Sequence, residues 1–207
     1  MIELLNIDCM EYMATLPDNA FDLAIVDPPY AAKNSKSGGT WAAKYGRKQE
    51  RWDVAPEPEY FEELFRVSMN QIIWGGNYFQ LPPTRCFIIL DKLQPENFTM
   101  AMCEYAWTSF SSNAKMFSCK TCGKPNDKRI HPCQKPVALY KWILKNYAKP
   151  GDRILDTHLG SGTIAEACHE LGFDLVGCEI DKDYYAAAKA RLEDFQRQQL
   201  LFTGKDA

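Results

Sequence analysis

Residues 153–165, Arg153-Ile154-Leu155-Asp156-Thr157-His158-Leu159-Gly160-Ser161-Gly162-Thr163-Ile164-Ala165, carry the reading on which the fold turns. An apolar run, Arg153 to Leu155, leads into Asp156; a glycine-rich turn follows; helical spacing then runs from Thr163 to Leu171. Glycine lets the backbone approach a ligand closely, and the start of a helix offers unpaired N–H groups. Strand, glycine turn and helix together therefore form a nucleotide-type binding element of a parallel sheet. Asp174 to Cys178 reads as the next strand, and Glu179 closes it nineteen residues after Gly160. An acid at that position can hold both hydroxyls of a ribose. The G-x-G-x-x-A spacing also suits a dinucleotide, and a tight structural turn accounts for the glycines without any ligand.

Outward from this unit, strand and helix patterns alternate. Ile2 to Leu5 is a short apolar strand, and Cys9, Met10, Met13 and Leu16 form an amphipathic turn that Pro17-Asp18-Asn19 ends. Phe21 to Val26, Gln71 to Trp74 and Cys86 to Leu90 read as buried strands, and Pro58 to Met69, Val137 to Tyr147 and Asp183 to Gln198 as helices. Cys103 to Phe110 and Ala114 to Phe117 suggest a β-ribbon. The pattern predicts an α/β fold, a mostly parallel twisted sheet with helices on both faces, in a single domain spanning 1–207.

The composition agrees. The chain has 207 residues, 46% of them hydrophobic and 25% charged, and no apolar run of the 18 or more residues a membrane span needs. Its first residues lack a basic n-region and a cleavage site, so an untargeted, cytoplasmic protein is expected. The formal charge of −3 announces no nucleic-acid partner. The distribution does: Lys33, Lys36, Lys44, Arg47, Lys48 and Arg51 crowd one long loop, 31–55, together with Trp41, Tyr45 and Trp52. Cations interleaved with aromatic rings suit phosphate binding with occasional base stacking, although a solvated loop has the same composition. The eight cysteines are scattered, as expected of reduced thiols in an intracellular chain.

Asp27-Pro28-Pro29-Tyr30 narrows the chemistry. Two prolines forbid ladder donors, so the tetrapeptide must sit at the carboxyl end of the strand Phe21 to Val26. An amino group on an aromatic base is a poor nucleophile because its lone pair is delocalised into the ring. Methylating it requires acceptors for its N–H groups and no donor to its lone pair. Asp27 and the Pro28 carbonyl are such acceptors, neither proline has an N–H to compete, and Tyr30 gives a flat face for an extruded base. The same four residues also suit a rigid strand end with Asp27 capping a turn.

With these two blocks the sequence resembles the S-adenosylmethionine-dependent amino-methyltransferases of DNA, in the circularly permuted β group where the DPPY block precedes the DPFxGSGT block. His131-Pro132-Cys133-Gln134-Lys135-Pro136 matches that group's H-P-T-Q-K-P segment. The resemblance covers most of 1–30 and 131–192 and implies a Rossmann-like methyltransferase fold, S-adenosylmethionine as cofactor and double-stranded DNA as partner. It implies Asp27, Pro28, Pro29 and Tyr30 as catalytic. It implies Asp8 near the cofactor's adenine, Asp156 and Gly160 along its methionine and sulfonium, Ser161, Gly162 and Thr163 as further cofactor-binding residues, and Glu179 on the ribose. Ile180 would lie against the adenine ring and Lys135 near the carboxylate end. Thr157-His158 stands where the family has Pro-Phe, and His158 is expected to pack on the cofactor. Asp at the head of the catalytic block usually accompanies adenine in this family, so an adenine amine is the expected target. A cytosine amine, an RNA base, a protein glutamine amide and a non-catalytic binding module remain open.

The segment 91–130 takes the place of a target-recognition region and is short for one, from which limited base readout, a short target sequence or help from a second subunit, as in a homodimer, could follow. Cys119 and Cys122 with His131 and Cys133 could complete a zinc site, or be reduced loop thiols. A recognition sequence and a cognate restriction enzyme are not legible in the chain.

Overall fold

The computed structural model describes residues 1–30, 54–95, 101–120 and 134–203, with side chains as far as 198. Eight strands and five α-helices are assigned among them. In chain order they are β1 (Ile2–Leu5), α1 (Cys9–Ala14), β2 (Phe21–Val26), α2 (Pro58–Val67), β3 (Ser68–Trp74), β4 (Phe87–Asp91), β5 (Cys103–Thr108), β6 (Lys115–Ser118), α3 (Val137–Tyr147), β7 (Arg153–Asp156), α4 (Thr163–Leu171), β8 (Asp174–Cys178) and α5 (Lys182–Thr203). A short 3₁₀ turn, Gly76–Tyr78, follows β3.

The strands form one sheet in the order β1-β8-β7-β2-β3-β5-β4-β6. Every described pairing is parallel except those of β5, which runs against both β3 and β4. Side chains alternate across a strand, and here the alternation divides two apolar layers. Leu23, Ile25, Ile72, Trp74, Ile154 and Leu175 pack with Leu139 and Ile143 of α3, Ile164 of α4 and Ala188 of α5. Ala24, Val26, Ile73, Leu155 and Val176 face the other way, against Met13 of α1 and Tyr60, Leu64 and Val67 of α2. Each fully buried aliphatic side chain contributes about 1.5–3 kcal/mol, so both faces of the central strands are committed to the core. The side chain of Arg66 ties α2 to the end of α1 by donating to the carbonyls of Met13 and Leu16, both at 2.8 Å.

Three expectations are corrected. The helix from Pro58 ends at Val67, not Met69, because Ser68 adopts an extended conformation (φ −133°, ψ 138°) and opens β3. Its hydroxyl turns back to donate to the Leu64 carbonyl. Residues 103–110 and 114–117 do not form a ribbon: β4 lies between β5 and β6. Ala106 and Trp107 of β5 are buried, so this strand needs a partner on each side and takes an interior position. β6, with Met116 exposed, takes the edge. The last helix extends to Thr203, beyond the expected Gln198.

This topology gathers the polar ends. Asp27 follows β2, Asp156 ends β7 and Glu179 follows β8, so all three lie at the carboxyl edge of the sheet, where open α/β sheets bind ligands. Because β5 is antiparallel, its first residues reach the same edge: Glu104 pairs with Leu90, near the end of β4.

The turn after β3 tolerates no added bulk. A Cβ on Gly76 would lie 2.4 Å from Trp107 Cβ and 3.1 Å from Trp107 N. Gly76→Ala is expected to lower the unfolding free energy by about 1–3 kcal/mol through overpacking, read as a lower urea midpoint at unchanged slope. An unchanged midpoint would show that β5 yields at this contact.

Candidate active site

The glycine turn is built as the sequence suggests. Gly160 and Gly162 have φ of 54° and 70°, the left-handed region that glycine enters without strain. A Cβ on Gly162 would also meet Ala188 Cβ of α5 at 2.9 Å. The turn is held from β8, since Leu159 N donates to Cys178 O at 2.9 Å and Gly160 N to Glu179 Oε2 at 2.8 Å. Asp181 N donates to the other Glu179 oxygen at 2.9 Å, which fixes the carboxylate while each oxygen keeps a lone pair for a further donor. Burial pushes the Glu179 carboxyl above its ordinary range. Ser161 and Thr163 are buried, whereas Ile180 is 63% exposed, an apolar side chain presented beside the acid. Asn6 at the end of β1 donates to the carbonyls of Glu179 (2.7 Å) and Ile180 (3.1 Å) and so fixes this corner.

Asp156 is 2% exposed, and Oδ1 accepts from His158 N at 3.0 Å. Burial raises its carboxyl to about 7; the Asp27 and Glu179 charges push the same way. His158 is pushed down to about 4 by burial and is therefore a neutral imidazole. Its Nδ1 lies 2.9 Å from Thr157 Oγ1, which lies 2.6 Å from Tyr60 OH of α2. A buried tyrosine hydroxyl needs an acceptor. If Tyr60 donates to Thr157, Thr157 donates in turn to Nδ1, and the imidazole proton sits on Nε2. Asp8, Pro29, Tyr60 and His158 line a cleft of ≈ 280 Å³. Asp8 itself caps α1, accepting from Met10 N at 2.7 Å.

At the end of β2, Asp27 Oδ2 is ion-paired with Lys135 Nζ. Lys135 is 4% exposed, lies 3.3 Å from Glu104 Oε2 and sits 4.8 Å above the Trp74 ring. Glu104 Oε1 in turn pairs with Lys92 at 2.7 Å. Burial raises the Asp27 carboxyl and Lys135 opposes it, whereas the two lysines overcome burial at Glu104 and hold it at about 2. Asp27 Oδ1 is buried and has no hydrogen-bond partner among the described residues. An unpaired buried acceptor costs about 1–3 kcal/mol, so this atom has capacity for a further donor. Tyr30 stacks on Tyr78, with centroids 4.8 Å apart and planes 4° apart. Gly75, at φ 68°, lets the 3₁₀ turn approach it, since a Cβ there would fall 2.5 Å from Tyr30 Cδ1.

The expected catalytic and cofactor residues thus converge on one edge of the sheet, with one change of emphasis: Lys135 lies against Asp27. Glu104, Lys92, Tyr60 and Asn6 are additions. Glu104 had a signal, a lone acid inside an otherwise apolar strand; Tyr60 is indistinguishable from a core residue of α2. Trp107, in the segment expected to read the target, is a packing residue, 7% exposed with Nε1 donating to Pro82 O at 2.7 Å. Lys33, Lys36, Lys44, Arg47, Lys48 and Arg51 lie outside the described residues, as do Cys122, His131 and Cys133. No cluster of three metal-ligating side chains occurs among the described residues, which include Cys119.

The profile of a family described as DNA methylase matches residues 73–190, more than half of the chain. YubD of Escherichia coli (strain K12) is 25% identical over 211 residues, covering 92% of this chain and 89% of that protein. The crystal structure of an M1.HpyAVI–SAM complex aligns over 93% of this chain and all of that one, with TM-score 0.57 and 23% identity. PvuII DNA methyltransferase (cytosine-N4-specific) aligns over 95% and 92%, with TM-score 0.63 and 12% identity. The chain shares their Rossmann-like methyltransferase fold, in the permuted order that sets the Asp27 block before the glycine turn.

The raised carboxyl of Asp156 has a consequence for stability. The folded chain keeps this proton up to about pH 7, whereas an unfolded one releases it near 3.8, so stability from this group is full below about pH 4 and lost as pH rises through about 7. Denaturant unfolding should therefore show Asp156→Asn gaining on the unsubstituted protein across that window. Parallel pH profiles for the two proteins would contradict the assignment.

Proposed function

The chain belongs to the DNA methylase family, and from that premise we propose that it moves a methyl group from S-adenosylmethionine to the exocyclic amino nitrogen of an adenine held out of duplex DNA. The observation that carries this reading is the buried Oδ1 of Asp27, unpartnered among the described residues, beside Pro28, Pro29 and Tyr30. A buried acceptor with no donor of its own is what an aromatic amine needs, because withdrawing an N–H into a hydrogen bond localises the nitrogen lone pair.

The residues present fit the cofactor. Glu179 has lone pairs for the ribose hydroxyls, exposed Ile180 offers an apolar surface for the adenine ring, and buried Asp156 with the Gly160–Gly162 turn suits a cationic sulfur and its ammonium. When bound, S-adenosylmethionine supplies an electrophilic methyl carbon on a sulfonium. Asp27 Oδ1 and the Pro28 carbonyl accept the two amine hydrogens, and Tyr30 stacks on the base. The N–C bond forms as the S–C bond breaks with its electron pair left on sulfur, and the cationic nitrogen then gives a proton to Asp27. His158 does not act as an acid or base, since a neutral thioether leaving group needs no proton. Adenine is favoured over cytosine by the aspartate that heads the block. Lys33, Lys36, Lys44, Arg47, Lys48 and Arg51 are proposed as phosphate contacts.

Asp27→Asn should fold, bind cofactor and duplex, and lose at least about 10²-fold in kcat, because the lost interaction belongs to the transition state. Tyr30→Phe should be tolerated, and Tyr30→Ala should reduce 2-aminopurine fluorescence at the target. Methyl label followed by digestion to nucleosides reads out the base: N6-methyladenine is expected, N4-methylcytosine would correct the target, and near-normal turnover by Asp27→Asn would end the reading.

A further inference from the structure

Asp27, Lys135, Glu104 and Lys92 form a row of alternating charges that sums to zero, two carboxylates and two ammoniums. Lys135 Nζ has three N–H donors. One engages Asp27 Oδ2, a second has Glu104 Oε2 within 3.3 Å, and the ammonium rests on the Trp74 ring. Were Glu104 neutral, the same buried ammonium would have one carboxylate to serve, and its lowest electrostatic energy would lie astride both Asp27 oxygens. That arrangement fills Oδ1, the atom the target amine requires. Lys92 sits 2.7 Å from the far oxygen of Glu104 and keeps it ionised at the edge of the core.

We propose that Glu104 is a positioning residue for the amine transfer: it draws the Lys135 ammonium away from Oδ1 of Asp27 and so keeps that oxygen open to the base. The inference rests on the amino-methyltransferase reading and adds a residue to it. Strand direction is what makes the contact available, since Glu104 stands at the start of the antiparallel β5 and Asp27 just beyond the end of β2. Besides this row, Asp27 is faced by Asp156 from β7 and Tyr140 from α3, and Tyr30 lies next to Lys135. None of the three is altered by changes at Glu104 or Lys92. Tyr140 stays protonated because burial raises it.

The test is steady-state methylation of duplex DNA by the whole chain, with kcat measured across pH. Glu104→Gln keeps shape and removes charge. Its kcat plateau should fall at least about tenfold. The acid limb should move to lower pH, because Asp27 is then paired more strongly. Glu104→Asp should recover both. Lys92→Met, at the other end of the row, should move the acid limb to higher pH, a shift of opposite sign that is readable even if Glu104→Gln does not fold. Opposite shifts with a fallen and rescued plateau support the inference. A folded Glu104→Gln with unchanged plateau and acid limb overturns it, as do shifts of the same sign in the Glu104→Gln and Lys92→Met variants. An unsubstituted protein that labels no DNA overturns the amino-methyltransferase reading and this inference with it, whereas a labelling protein with an indifferent Glu104 overturns this inference alone.

Discussion

An ionised carboxylate at the mouth of an apolar sheet must be paired or lose its charge, and Asp27 is paired by a lysine almost entirely withdrawn from solvent. Much of the local architecture serves that pair. The 134–136 segment must run in front of the carboxyl edge before α3 begins, Trp74 must lie flat beneath the ammonium, and an acid must arrive from a strand of opposite direction to balance it. Breaking one partner of such a buried pair costs about 3–5 kcal/mol, which makes the site a fixed part of the fold and not a decoration on it.

The second constraint is adjacency. β2, which leads into Asp27, lies beside β7, which carries Asp156 and leads into the glycine turn. The acceptor side of the site and the cofactor side therefore meet along a single strand pairing. Their order in the chain does not matter to this meeting, because parallel neighbours bring the same ends together however the loops connect them. That is the physical reason a permuted sequence builds an unpermuted site. The helix layers then close the two faces, and the edge between them stays open for ligands.

Most of the sheet was legible because strands buried on both faces are short continuous apolar runs with sharp boundaries: Phe21–Val26, Arg153 to Leu155 and Asp174–Cys178 emerge as expected, as do the helices Val137–Tyr147 and Thr163–Leu171. What failed was pairing. Cys103 to Phe110 and Ala114 to Phe117 were strands close in sequence, and proximity suggested a ribbon, but the burial of Ala106 and Trp107 demanded two neighbours for β5 and drew β4 between them. The residues gathered at the carboxyl edge were legible where they fall in rare local patterns, Asp27-Pro28-Pro29-Tyr30 and Gly160-Ser161-Gly162. They were not legible where a role depends on contacts across the fold. The sequence does not show that Lys135 pairs with Asp27, and Tyr60 looks like any helical core residue until its hydroxyl is seen against Thr157.

The sheet also joins the two ends of the chain. β1 finds its partner in β8 and β2 finds one of its two in β7, so strands from the first thirty residues are completed by strands that follow residue 150. Contacts this distant along the sequence make for slow folding, since loop closure must precede the stabilisation it brings. On the ribosome β1 and one side of β2 wait, apolar and unpaired, until residues 153–178 have been made. Until β7 arrives, the open edge of β2 is the surface a chaperone would have to cover.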